Sequence, residues 1–269
     1  MHAEMIARLH FRDARCFVFS FVRSVSARPA NPMNLLALDT ATEQMAVALC
    51  HGDLVLTRNE IGGAAASATL IPLVLSLLAK AGLTITELDA IACGQGPGAF
   101  TGLRTAVSVT QGLAFGAGKP ALCIDSLLIV AEDARSQGAA TAREILWVAM
   151  DARMDEVYAA AYQHDGRRWA TLHAPALHDL ETLQLRWAAQ PPRHVAGNAM
   201  QAFGERLPLP AGAQSWPQQV DRAAALLRLA CAAWAEGAAV PPEQALPVYV
   251  RDKVALTTAE REALKASQA

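Results

Sequence analysis

From residue 33 onward the chain runs as short apolar segments separated by turn chemistry. Residues 34–39, 45–50 and 53–60 are apolar or alternating, with His51-Gly52-Asp53 between the last two, and predict three strands. Gly62-Gly63 breaks the pattern. Residues 67–81 then predict a helix, with Ser67 or Thr69 as cap, Pro72 in the first turn and Gly82 as stop. Residues 88–93 predict a strand, 99–117 a long helix, 121–124 a strand, and Ser126 caps a further helix to about residue 136. The order then starts again. Residues 148–151 form an apolar run ending in Asp151, as 36–39 ends in Asp39. Residues 156–162 return to the turn His164-Asp165-Gly166. Helix signals follow at 179–189 and 221–237, with a short strand near 194–196. This repetition predicts two similar lobes of mixed α/β type, dividing near residues 137–142. The expected layout is an N-terminal extension (1–32), a first lobe (33–136), a second lobe (137–240) and a C-terminal tail (241–269).

The two helices of the first lobe are apolar nearly all round. On the first, Leu70, Val74 and Leu77 turn one way, while Ile71, Leu75 and Leu78 turn another. The second carries a single charge, Arg104, before Lys119. Its residues Ser108, Gly112 and Gly116 recur every fourth position as a smooth stripe that lets another helix approach closely. A helix that is apolar on all sides must be covered on all sides, and one sheet covers only one face. The remaining faces need either the helix at 221–237, with Leu226, Leu227, Leu229 and Ala230, or a partner protein. The apolar stretch between Arg104 and Lys119 is too short to span a membrane.

Composition narrows the classes. At 53% apolar residues the chain builds a sizeable core, and a net charge of −2 offers no basic footprint for nucleic acid. Five cysteines are scattered without a CxxC pair, which predicts neither a zinc site nor a disulfide framework and fits a reduced, cytoplasmic setting.

Candidate chemistry is sparse. Asp39-Thr40-Ala41-Thr42 follows a strand and can hold a phosphate or a metal-bound water, with Asp151 at the equivalent point of the second lobe. The alternative is that both aspartates cap turns. Gly94-Gln95-Gly96-Pro97-Gly98 reads as a glycine-rich turn before a helix, either a phosphate cradle or a packing turn. The second lobe lacks comparable glycines, which argues against a working ATPase. No HExxH or nucleophile motif occurs, so no catalytic residue, metal or cofactor is expected. Arg104 is expected to pair with a buried carboxylate rather than a ligand.

Four stretches carry a resemblance: LLALDTATE at 35–43, GQGPGAFTGLR at 94–104, DARMDEVY at 151–158 and PVYVRDKVA at 247–255. In this colinear order, from residue 33 to about 256, they resemble the TsaB (YeaZ) family of tRNA threonylcarbamoyladenosine biosynthesis. The resemblance implies an actin-like (ribonuclease-H-like) fold of two lobes, each a mixed sheet with helices. It implies a non-catalytic scaffold that pairs with TsaD, helps dock the ATPase TsaE and works with TsaC, meeting tRNA only through the complex. It also implies homodimers through the same helices when TsaD is absent. The partner face expected on these grounds comprises Leu70, Ile71, Val74, Leu77, Leu78, Leu103, Arg104, Val107, Ser108, Gln111, Gly112 and Phe115. Asp39, Thr40, Thr42, Gly96, Gly98 and Asp151 would form a vestigial nucleotide site. The competing readings are a stand-alone ATPase or phosphotransferase acting at Asp39 and Asp151, and, more remotely, a metallopeptidase-like protein. Because the resemblance begins at Met33, the arginine-flanked segment 1–32 is read as an upstream start, expected to be poorly ordered, rather than a targeting peptide.

Overall fold

The computed structural model describes residues 33–63 and 66–251. The expectations for segment 1–32, and for the tail beyond residue 251, lie outside the described residues.

The first lobe begins with an antiparallel meander of β1 (Asn34–Asp39), β2 (Gln44–His51) and β3 (Leu54–Ile61). Helix α1 (Ala66–Ala81) leads to β4 (Ala90–Gly96), which lies parallel to β1. Helix α2 (Phe100–Ala117) leads to β5 (Ala121–Asp125), parallel to β4, and α3 (Ser126–Ser136) follows. The five-stranded sheet runs β3-β2-β1-β4-β5. Its central strand is buried on both faces, which explains why Leu35 to Leu38 is a continuous apolar run rather than an alternating one.

The second lobe repeats this order. Strands β6 (Ile145–Asp151), β7 (Glu156–His164) and β8 (Trp169–Asp179) form the meander, then come α4 (Leu180–Ala189) and β9 (His194–Ala196), parallel to β6. The short α5 (Ala199–Phe203), β10 (Gln214–Trp216), parallel to β9, and α6 (Arg222–Ala235) complete it. The sheet order is β10-β9-β6-β7-β8. Counted from each lobe's own first strand, both sheets have the topology 3-2-1-4-5. This is the duplicated arrangement of the actin-like fold.

Four apolar clusters set the layers. Helices α1 and α2 pack on one face of the first sheet through Leu70, Val74, Leu77, Ala106 and Val107. On its other face, α6 contributes Ala223, Leu226, Leu227 and Ala230, with Ile129 of α3 beside them. Helix α3 also packs on the second sheet through Leu127, Val130 and Ala134, while Leu183 and Trp187 of α4 cover that sheet's far face. Helices α3 and α6 are therefore a middle layer between the sheets. Glu132 of α3 joins the parts of this layer. It accepts two hydrogen bonds from Arg135 (both 2.8 Å), one from Trp169 of β8 (3.0 Å) and one from Arg228 of α6 (2.5 Å).

Several expectations change. Helix α6 lies across the first sheet from α1 and α2, so it cannot cover their outer faces. Ser67 and Thr69 sit inside α1 rather than capping it, and Pro72 falls beyond the first turn. Asp125, not Ser126, caps α3, accepting from the backbone of Leu127 and Leu128. Gly94 to Gly96 continue strand β4 instead of forming a turn. Strands β8 and β10 and helix α5 are additions: β8 contains Pro175, where its pairing register with β7 shifts, tolerable on an edge strand, and the other two are short.

Candidate functional site: an interlobe cleft and an outer helix face

The cleft between the lobes encloses about 630 Å³ and is walled by Glu43, Phe100, Asp151, Arg153 and Tyr249, among others. Among the described residues no histidine lines it. Asp39, at the end of β1, is fully buried behind two of the lining residues, Ser126 and Arg222, and both its carboxylate oxygens are engaged. One accepts from the Ala41 amide (2.9 Å) and from the Arg222 guanidinium (Nε at 3.1 Å, Nη2 at 3.0 Å). The other accepts from the Ser126 hydroxyl at 3.2 Å, and that hydroxyl accepts from the Gly96 amide at 3.1 Å. Asp39 and Arg222 are both fully buried. Nearby, Asp125 is pushed up by burial, against the hydrogen bond donated by Tyr162 at 2.5 Å. Tyr162 in turn is raised by its own burial and by the Asp125 charge.

The glycines of the 94–104 motif serve this arrangement. A Cβ on Gly94 would overlap the Asp39 carboxylate, and one on Gly102 the Thr40 carbonyl. One on Gly98 would lie 2.6 Å from the Ala41 carbonyl oxygen. Gly96 has φ +116°, and its open side is filled by the Val248 carbonyl. Each of these glycines thus admits a close approach of the protein's own backbone or side chains, from β1 and the turn after it and from residue 248. The hydroxyls of that turn are also spent, Thr40 donating to the Gly102 carbonyl (2.6 Å) and Thr42 to that of Gln44 (3.1 Å).

Asp151 stands where the repeat requires it, at the end of β6. Its carboxylate accepts from the Arg153 amide (2.8 Å) and guanidinium (3.1 Å). Arg153 also reaches Glu43 across the cleft at 2.7 Å. Each lobe's aspartate is thus bound to an arginine. Among the described residues no cluster of three or more His, Cys, Asp or Glu is placed to hold a metal.

The second candidate surface is the outer face of α1 and α2. Leu70, Val74, Leu77, Leu78, Leu103 and Val107, expected at a partner face, are buried in the protein's own core. They pack on the sheet because they occupy the inward stripe of their helices. What remains outward is Ile71 and Leu75 on α1 and Arg104, Ser108, Gly112 and Phe115 on α2, with Gln111 half-buried. Phe115 is 78% exposed. A Cβ on Gly112 or Gly116 meets nothing within 4 Å, so the fold itself does not require glycine there. Among the described residues Arg104 has no carboxylate partner. Its guanidinium lies 3.8 Å from the centroid of the Phe100 ring and its Nε donates to the Tyr249 hydroxyl at 2.9 Å.

Sequence reasoning missed Arg222, Ser126, Tyr249 and Arg251. Arg222 carried the signal of a charge opening a largely apolar helix, and Tyr249 and Arg251 lie in the 247–255 motif without a role that spacing could assign. Their partners lie far off in sequence, thirty residues from Ser126 to Gly96 and more than eighty for the other contacts named.

Known proteins resolve what this geometry belongs to. The chain is 34% identical over 238 residues to the tRNA threonylcarbamoyladenosine biosynthesis protein TsaB of Escherichia coli K12, covering 83% of this chain and 96% of that protein. The chain belongs to the TsaB (YeaZ) family. The TsaB of Haemophilus influenzae is 40% identical over 126 residues, 47% of this chain and 52% of that protein. The solved YeaZ of Pseudomonas aeruginosa superposes with a TM-score of 0.70 at 40% identity, over 81% of this chain and 99% of that one. The family model for TsaD, tRNA N6-adenosine threonylcarbamoyltransferase, also matches residues 60–245, in keeping with a fold shared between TsaB and TsaD. The described helices include none long and apolar enough to cross a membrane.

Proposed function

We propose that this chain acts in the biosynthesis of threonylcarbamoyladenosine at adenosine 37 of tRNAs that read codons beginning with A, as a scaffold rather than a catalyst. The observation that carries the reading is the pairing of each cleft aspartate with an arginine. Arg222 neutralises Asp39 in the buried core, and Arg153 pairs with Asp151. The names of the TsaB relatives supply the pathway.

The proposed docking face is the outward part of α1 and α2: Ile71, Leu75, Ser108, Gly112 and Phe115, with Arg104 at its edge. Its occupant is TsaD, whose fold this chain shares, so helices of like shape meet across bare glycines. TsaE docks on the pair, and TsaC supplies the threonylcarbamoyl-adenylate. A second copy of this chain uses the same face when TsaD is absent. This smaller set replaces the wider face expected from sequence, because a charge at Val74 or Val107 would test folding instead of docking.

Reconstitution tests both parts. TsaD, TsaC and TsaE of the same organism are assayed for tRNA modification with this chain, without it, and with Leu75→Glu or Phe115→Glu. Light scattering of the TsaD mixture reads the complex. The expected result is modification only with the unaltered chain, and loss of a one-to-one complex in variants that still fold. Full modification without the chain refutes the scaffold role. A tight, Mg²⁺-dependent ATP complex of the chain alone would restore the stand-alone ATPase.

A further inference from the structure

Residues 247–251 have no regular secondary structure, yet they touch both lobes. At the first lobe, the Val248 amide donates to the Gln95 carbonyl at 2.7 Å, and the Val248 carbonyl sits over Gly96. Tyr249 packs on Phe100, ring centroids 4.9 Å apart, and accepts from Arg104. At the second lobe, the Arg251 guanidinium donates to the carbonyls of Ala152 (2.9 Å) and Arg153 (3.2 Å) and pairs with Glu156 at 2.6 Å. The Arg251 side chain is only 11% exposed.

The turn it grips is unusual. Arg153, Met154 and Asp155 all have positive φ, at 63°, 57° and 60°. Three consecutive non-glycine residues in the left-handed region are disfavoured and persist only where surrounding contacts hold them. The contacts here are Arg251 from one side and the Arg153–Glu43 and Arg206–Asp155 ion pairs from others. Those two pairs are solvent-exposed and contribute little. Arg251 is the shielded one, and its Nη2 serves both adjacent carbonyls.

We propose that residues 247–251 are a strap that holds the cleft at one opening, anchored by Val248 and Tyr249 on β4 and α2 and by Arg251 on the β6–β7 turn. Arg251 is a positioning residue. By keeping the turn left-handed it presents Arg153 to Glu43 across the cleft, and so gives those two residues a role. The proposal stands apart from the docking face on α1 and α2, since it requires no partner.

Trypsin cleavage after Arg153 reports on the turn, and cleavage after Arg167 and Arg168, in the exposed β7–β8 turn, reports on the rest of the lobe. The full chain is compared with Arg251→Ala and with Tyr249→Ala, whose own contacts are all in the first lobe. The expected result is cleavage after Arg153 accelerated about tenfold or more in both variants, as local opening becomes easier, with cleavage after Arg167 and Arg168 unchanged. An unchanged rate at Arg153 in Arg251→Ala overturns the proposal. So does equal acceleration at all three sites, which is global loosening. Acceleration in Arg251→Ala but not in Tyr249→Ala also overturns it, since the contact would then be local and no strap would join the lobes.

Discussion

Removing either member of the Asp39–Arg222 pair should be among the most damaging single changes available in this fold. Both side chains are fully buried and 3.0 Å apart. Arg222→Ala leaves Asp39 with two neutral donors, the Ala41 amide and the Ser126 hydroxyl, for a full buried charge. Asp39→Ala leaves the guanidinium with the Gln219 side chain and the Ser126 carbonyl. Breaking a buried pair from one side costs about 3–5 kcal/mol, because the survivor keeps its desolvation penalty without its partner. The double variant Asp39→Ala/Arg222→Ala removes both charges, so its cost should fall below the sum of the singles by at least about 2 kcal/mol. Urea unfolding, with slopes compared to confirm a common transition, supplies the three differences. Additive effects, or single costs below about 1 kcal/mol, would refute the view that Arg222 neutralises Asp39. The same experiment bears on function, since an aspartate poised for a metal would tolerate loss of the arginine.

Other expectations follow from particular contacts. Gly102→Ala drives a methyl group into the Thr40 carbonyl and should prevent recovery of folded protein. Gly112→Ala meets open space, so it should raise thermal stability slightly, by up to about 1 kcal/mol of helix propensity, while weakening the TsaD complex in light scattering. Burial raises Glu132, but hydrogen bonds from Arg135, Arg228 and Trp169 outweigh it and hold the carboxyl below its usual 4.5. Its contribution is therefore complete above that pH and lost as pH falls through the depressed folded value. Glu132→Gln should reduce stability at pH 7, and the deficit against wild type should shrink on acidification in a series of urea titrations. Tyr162→Phe removes the donor to Asp125 and should cost about 1–3 kcal/mol by the same assay. Because burial already raises Asp125, stability falls with pH through that window, and the variant should fall further.

The repeat of strand, aspartate and polar turn was legible because each lobe's central strand is buried on both faces, which writes a long apolar run into the sequence. The helices of 179–189 and 221–237 were legible from Asp179 and Asp221, both of which cap as their positions imply. The cleft was not. Glycines admit a phosphate or a neighbouring backbone equally well, and only the position of the β1–β2 turn decides between them. Arg104 misled for a related reason, since a lone charge on an apolar helix can be shielded by an aromatic face as well as by a carboxylate. The inward and outward leucines of α1 differ only in which side of the helix meets the sheet, and that follows from the register of packing.

The middle layer has a consequence for the order of synthesis. Helix α6 leaves the ribosome after both sheets, yet it packs on the first of them, over Leu35, Ala37, Ala46 and Ala92. Domains usually fold as they emerge, N-terminal first. Here the first lobe keeps one apolar face covered only in part, by Ile129 of α3, until residues 222–235 have been made. The nascent chain therefore carries that face from the completion of β5 at residue 125 until α6 is made, and no fragment ending between the lobes can close it.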